Sequence, residues 1–250
     1  MRVLSREETK AIFKPENIIG RLVNAGAGWN RLYDVPHRKF LRMYIVYHLN
    51  VSSIRHESKI LDTIVIDNDL MHRMGMTEND LYSAAVINIG KPYIANTTEF
   101  LQLDPDVYDP VGDNLLIISN TNLIYGAFAI TQDTVLASVS KRIGGDFIIL
   151  PGSVNEMYAV KLYPNMDMND IQTWANEVSH IVKDDTDFIT TDIYIYRSKS
   201  HIIESVPGGQ EWQLYTTLSI NFPMKSERLL VILTGANLVT NTVITTVYWT

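Results

Sequence analysis

A chain of 250 residues with 46% apolar and 20% charged side chains is long and apolar enough to bury one sizeable core. Zero cysteines exclude a disulfide scaffold, thiolate catalysis, iron–sulfur ligation and cysteine-type zinc sites together. A formal charge of -7 disfavours a nucleic-acid partner, which requires a concentrated basic face.

The N-terminal stretch mixes both charge signs and has no apolar run of the kind a secretory signal carries, so a cytoplasmic location is expected. Residues 5–25 read as a helix interrupted at Pro15, with Ser5 as its cap and Ile18, Ile19, Leu22 and Val23 on one face. Residues 42–51 read as a strand covered on both faces, and 60–66 as a second strand. Asp67 or Asn68 caps a short helix ending near Gly75. Thr77-Glu78-Asn79-Asp80 then opens another, whose narrow apolar face is Leu81, Ala84, Ala85 and Ile89.

Residues 91–113 contain Pro92, Pro105, Pro110 and Gly112, and read as an irregular loop. Residues 115–119 and 123–130, joined by Asn120-Thr121-Asn122, read as a β-hairpin. Asp133 starts a helix that Gly144-Gly145 stops. Residues 147–150 and 157–163 read as short strands. Residues 167–183 form a helix with Ile171, Trp174, Ala175, Val178 and Ile181 inward, and 192–197 alternates like an edge strand.

Hairpins outnumber crossover units in this order, so the predicted class is α+β, a mainly antiparallel sheet with packed helices. The composition shifts after Ser198, and Pro207-Gly208-Gly209 breaks the pattern. This divides the chain into a domain over 1–198 and a β-rich C-terminal appendage over 199–250. Residues 229–250 carry no charge, yet their threonines and asparagines lower the hydrophobicity, and Gly235-Ala236-Asn237 resembles a turn. Two strands are the expectation there, and no membrane.

Several blocks resemble a known family. They are Arg21-Leu22-Val23-Asn24, then 34–41 (DVPHRKFL), 74–81 (MGMTENDL), 122–127 (NLIYGA), 145–156 (GDFIILPGSVNE) and 192–196 (DIYIY). In this order they resemble the DUF5688 family of Firmicutes over about residues 20–197. The resemblance implies boundaries and no mechanism, because the family has no assigned activity. The chain departs from the family pattern at Asn155, where a histidine is usual, and at Arg42-Met43-Tyr44. Most of the family's longer N-terminal region is missing, and the tail has no counterpart, so a truncated mobile-element fragment is a further reading.

The sharpest catalytic suspicion falls on Ser153 near Glu156, since a nucleophilic serine needs a base within hydrogen-bond reach. Asn155 cannot serve as that base, and a distant histidine such as His37 would have to. This hydrolase or transferase reading competes with a turn role for Ser153. His37, Arg38, Lys39 and Arg42 form a compact basic cluster able to meet an anion, or else a solvated helical turn started by Pro36 with Asp34 offsetting the charge. No close-spaced histidine set marks a zinc site, the acidic knot Asp184, Asp185 and Asp187 lacks a calcium-loop register, and no phosphate-binding fingerprint occurs. The sequence therefore favours a non-enzymatic binding protein with no cofactor and no metal. Its expected partner is a protein or a small anionic ligand, and its candidate binding residues are His37, Arg38, Asn122, Ser153, Asn155 and Glu156.

Overall fold

The segment expected to continue a helix past Pro15 is a strand. In the computed structural model, which describes residues 12–24, 32–52, 62–100, 102, 115–182 and 187–206, Pro15 opens a single 3-10 turn over Pro15–Asn17. The chain then extends as β1, Ile18–Val23, with all but one of its residues buried. A run buried on both faces loses the alternation that distinguishes a strand from a helix. Packing decides it. A side chain at Gly20 would lie 2.7 Å from the ring of Phe128, so only a glycine-bearing strand lets that ring seat against the backbone. Residues 5–11 and 25 lie outside the described residues.

β1 pairs antiparallel with β3, Met43–Asn50, whose other edge takes β2, His37–Phe40, and then β4, Thr63–Val65. Both faces of β3 are covered, as its sequence predicts. Residues 60 and 61 of the expected second strand lie outside the described residues. Asp67 caps α1, Asn68–Arg73, by accepting from the Leu70 N–H. Thr77 and Asp80 close a reciprocal capping box on α2, Glu78–Asn88, which buries Leu81, Ala84 and Ala85.

The expected loop over 91–113 contains regular structure: β5, Pro92–Asn96, and α3, Thr97–Phe100. Pro92 is tolerated because it is the first residue of a strand at the sheet edge, where its missing donor costs no ladder bond. The expected hairpin over 115–130 is also corrected. Its first half is β6, Leu115–Asn120, but its second half is a turn followed by a 3-10 segment, Gly126–Thr131. The Asn120 side chain causes the change by accepting from the N–H groups of Asn122 and Ile124 and donating to the Ile124 carbonyl. The chain is curled back before a second strand can start.

α4, Asp133–Ile143, ends at Gly144, and β7, Phe147–Ser153, then pairs with β8, Glu156–Lys161. α5, Met168–Val182, buries Ile171 and Ala175; the side chains of Trp174, Val178 and Ile181 lie outside the described residues. β9, Tyr194–Arg197, is not an edge strand, because β10, Ile202–Ser205, pairs on its outer side. Alternating burial in β9 comes from unequal cover of its faces and not from an open edge. The second sheet runs β10-β9-β7-β8-β6-β5, antiparallel throughout.

The α+β class with antiparallel sheets is therefore as expected. The main core lies between the sheets and includes Leu22, Ile45 and Tyr47 from the first with Ile118, Phe147, Met157 and Tyr196 from the second. A smaller core on the far face of the second sheet joins Ile117, Ile148 and Tyr158 to Ile171 and Ala175 of α5. Strand β10 continues the sheet past residue 198, and residues 207–250, with the two strands expected in 229–250, lie outside the described residues. No helix among the described residues is long and apolar enough to cross a membrane.

Candidate functional site

Ser153 and Glu156 face each other in register at the turn joining β7 to β8, beside a bulge between Pro151 and Ser153. The Asn155 N–H donates to Ser153 Oγ at 3.1 Å, and Ser153 donates to the Glu156 carboxylate through both its hydroxyl and its N–H. Both residues are buried, Ser153 at 7% and Glu156 at 6% exposure. Burial pushes the Glu156 carboxyl up to about 7, and the charge of Asp187 adds to this while the Ser153 bonds oppose it.

The turn holds its neighbours by hydrogen bonds. Asn155 Oδ1 accepts from the Tyr125 N–H at 2.9 Å, and the Asn155 carbonyl accepts from Ser119 Oγ at 2.6 Å. The Val154 carbonyl accepts from the Ala127 N–H, and the Val154 N–H donates to the Asp187 carbonyl at 2.9 Å. The blocks 122–127 and 145–156 thus meet in space. Asn122 itself is exposed and supplies its backbone N–H to Asn120, which is the buried member of that loop.

Tyr125 sits in the left-handed region at φ 52, a costly conformation for a bulky side chain. Its ring lies 5.0 Å from the guanidinium centre of Arg21 and 5.2 Å from the ring of His48. Its hydroxyl lies 3.2 Å from Thr63 Oγ1, which lies 3.1 Å from His48 Nδ1. The pairing of β1 with β3 puts Arg21 and His48 on one face of the first sheet. Arg21 Nη2 reaches Asp187 Oδ1 at 3.5 Å. Burial, with the Arg21 charge second, pushes His48 down to about 3, so its ring is neutral throughout the physiological range.

The basic cluster is organised elsewhere, and the helical turn expected after Pro36 is instead strand β2, held extended by its pairing with β3. His37 is exposed, with Nδ1 2.9 Å from the Val35 carbonyl and its ring against Tyr44. Arg38 grips Glu78 with two nitrogens and donates to Asn79, and Arg42 donates to Asp192 at 2.9 Å. The structure therefore brings Ser153, Asn155 and Glu156 together with the loop that contains Asn122, and gives His37 and Arg38 partners of their own. No group of three or more His, Asp or Glu able to hold a metal ion occurs among the described residues.

Sequence reasoning missed Arg21, His48, Thr63, Tyr125 and the role of Asp187. A signal existed for two of them: Arg21 is the sole charge in the apolar run 18–23, and His48 is the imidazole in a strand covered on both faces. Chemically, the arrangement offers a buried carboxyl able to keep its proton near neutrality, a hydroxyl engaged with it, and an arginine balanced by Asp187. Neither a curated protein nor a solved structure matches the chain. The model of a family of unknown function, DUF5688, matches residues 13–198, and with most of its length covered the chain belongs to that family.

Proposed function

We infer that this protein acts by binding a partner and not by turning over a substrate. The observation that carries this reading is the closed Ser153–Glu156 turn. The hydroxyl that would attack a substrate is held between the Asn155 N–H and a buried carboxyl, both within the hairpin. A nucleophile needs an open approach and a base free to take its proton, and this turn supports neither. Of the two partner classes, a protein is better supported than a small anion. Arg38 and Arg42, which would anchor an anion, are already engaged by Glu78 and Asp192.

A cytoplasmic location in a Firmicutes host belongs to the same reading. The absence of cysteine supports the location, and the resemblance of the sequence blocks supports the host. The acidic balance supports a partner other than nucleic acid. The test is to expose the purified full chain to a fluorophosphonate probe and to inorganic phosphate in parallel. The expected result is no adduct on Ser153 and no phosphate-dependent shift of the His37 or Lys39 signals. An adduct on Ser153 that disappears in Ser153→Ala overturns the non-enzymatic reading, and saturable phosphate binding at His37 and Lys39 overturns the preference for a protein partner.

A further inference from the structure

We propose that Glu156 is a proton-controlled latch that holds the segment beginning at Asp187 against the β7–β8 turn. The latch is built from geometry. Glu156 is buried in the turn whose tip residue, Val154, donates its N–H to the Asp187 carbonyl at 2.9 Å. The hydrogen bonds to its carboxyl come from Ser153, and the nearby charge is another carboxylate, Asp187. The Arg21 guanidinium pairs with Asp187 at 3.5 Å and is flanked by the Tyr125 ring and by His48. Tyr158, on the same strand as Glu156, is fully buried and feels the Glu156 charge; burial holds its hydroxyl protonated.

With a proton on Glu156, the turn and the 187 segment carry one carboxylate between them, and Arg21 balances it. Loss of that proton places a second negative charge in a buried site already facing Asp187, at a cost in both desolvation and repulsion. Opening the Val154–Asp187 contact relieves both costs by admitting water. Proton loss therefore favours release of the Asp187 end of the segment leading into β9. The far end keeps its ties, because Gln172 donates to the Thr191 carbonyl and Asp192 accepts from Arg42. The release is local, and it uncovers the turn and the Arg21 side chain.

The test is amide hydrogen exchange on the full chain, followed by NMR. The protection factor of the Val154 N–H is expected to fall about tenfold between about pH 6 and about pH 8, after correction for intrinsic exchange. The Leu162 N–H, which donates to the Asp146 carbonyl, is the internal control and keeps its protection. In Glu156→Gln the Val154 protection is expected to be flat over that range. Flat protection in the unmodified chain, or an equal fall in Glu156→Gln, overturns the proposal. Should the variant not fold, carbon-detected titration of the Glu156 carboxyl in the unmodified chain decides the matter. A near-neutral midpoint shared with the Val154 amide shift supports the latch, and a midpoint in the ordinary carboxylate range overturns it.

Discussion

Arg38 and Glu78, forty residues apart in sequence, form a two-pronged ion pair, with Nε 3.1 Å from Oε1 and Nη2 2.8 Å from Oε2. The Tyr47 hydroxyl donates to the same Oε1, and the Tyr82 ring lies 3.9 Å from the guanidinium centre. This contact pins the block 34–41 on β2 to the block 74–81 at the start of α2. Its partners raise the Arg38 pKa, with the Glu78 hydrogen bond as the first cause.

Arg38→Ala is expected to lower stability by about 1–3 kcal/mol, since it removes charge-assisted bonds at a site only about a third exposed. Arg38→Lys is expected to recover only part of this, because an ammonium lacks the planar fork and stacks poorly on Tyr82. Urea denaturation of the two variants checks the ranking. Equal stability of Arg38→Ala and the unmodified chain would show that the pair contributes nothing.

Gly126→Ala is expected to be among the most damaging single-methyl changes. Its added carbon would overlap Ser119 Oγ and the Asn155 carbonyl and lie 2.8 Å from the Asn120 nitrogen. Two of these neighbours are backbone atoms that cannot swing aside. A loss of about 1–3 kcal/mol or more follows from overpacking, and it should appear as a lowered urea midpoint with an unchanged slope.

Among the described residues, two buried groups act on the pH profile of stability in opposite directions. Glu156 titrates at about 7 when folded against an ordinary 4.5, so the folded chain holds the extra proton between these values. Stability from this group falls as pH rises from about 4.5 to about 7, by on the order of 3 kcal/mol, and is level above. His48 titrates at about 3 against an ordinary 6.5, so the unfolded chain holds the extra proton, and stability falls as pH drops through that window. The slopes oppose each other where the windows overlap, which flattens the profile of the unmodified chain. Glu156→Gln is expected to leave the His48 slope unopposed by Glu156, with the gap to the unmodified chain widening as pH rises and constant above about pH 7. Guanidinium melts across that range check this, and a gap independent of pH refutes it.

Local chemistry was legible in the sequence wherever the signal was local. Thr77 and Asp80, Asp67, and the glycines after α4 mark their helix ends through bonds that span a few residues. The strand β3 was legible as well, because an eight-residue run with no wet face suits a covered strand. What failed depended on distant residues. The run 18–23 extends because Phe128 needs the bare backbone of Gly20, and nothing near Gly20 in sequence announces that ring. The run 123–130 curls because Asn120 turns its amide onto Ile124, a choice the apolar pattern of the run conceals.

The candidate site divides along the same line. Ser153, Asn155 and Glu156 were found as neighbours because the turn that joins them is contiguous. Arg21, His48, Tyr125 and Asp187 come from separate stretches and meet only through the β1–β3 register and the left-handed backbone of Tyr125. Adjacency in sequence groups His37 with Arg38, but successive residues of a strand point to opposite faces. Arg38 turns to Glu78, while His37 faces Val35 and Tyr44.

Asn155 tests whether the left-handed backbone of Tyr125 is held by the turn. Asn155 Oδ1 accepts the Tyr125 N–H at 2.9 Å, and this bond offsets part of the cost of a φ that tyrosine otherwise avoids. Asn155→Ala removes the acceptor and leaves a partly buried donor, so a loss of about 1–3 kcal/mol is expected. Asn155→Asp keeps an acceptor oxygen in the same place and is expected to lose less of this bond near neutral pH, though its charge approaches Glu156. The informative variant is the double change Asn155→Ala with Tyr125→Gly. Glycine adopts the left-handed region at no steric cost, so removing the acceptor beside it should cost less than removing it beside tyrosine. Urea melts of the four corners of this cycle give the coupling directly. Strict additivity would mean that the Asn155 bond does not act on the Tyr125 backbone at all.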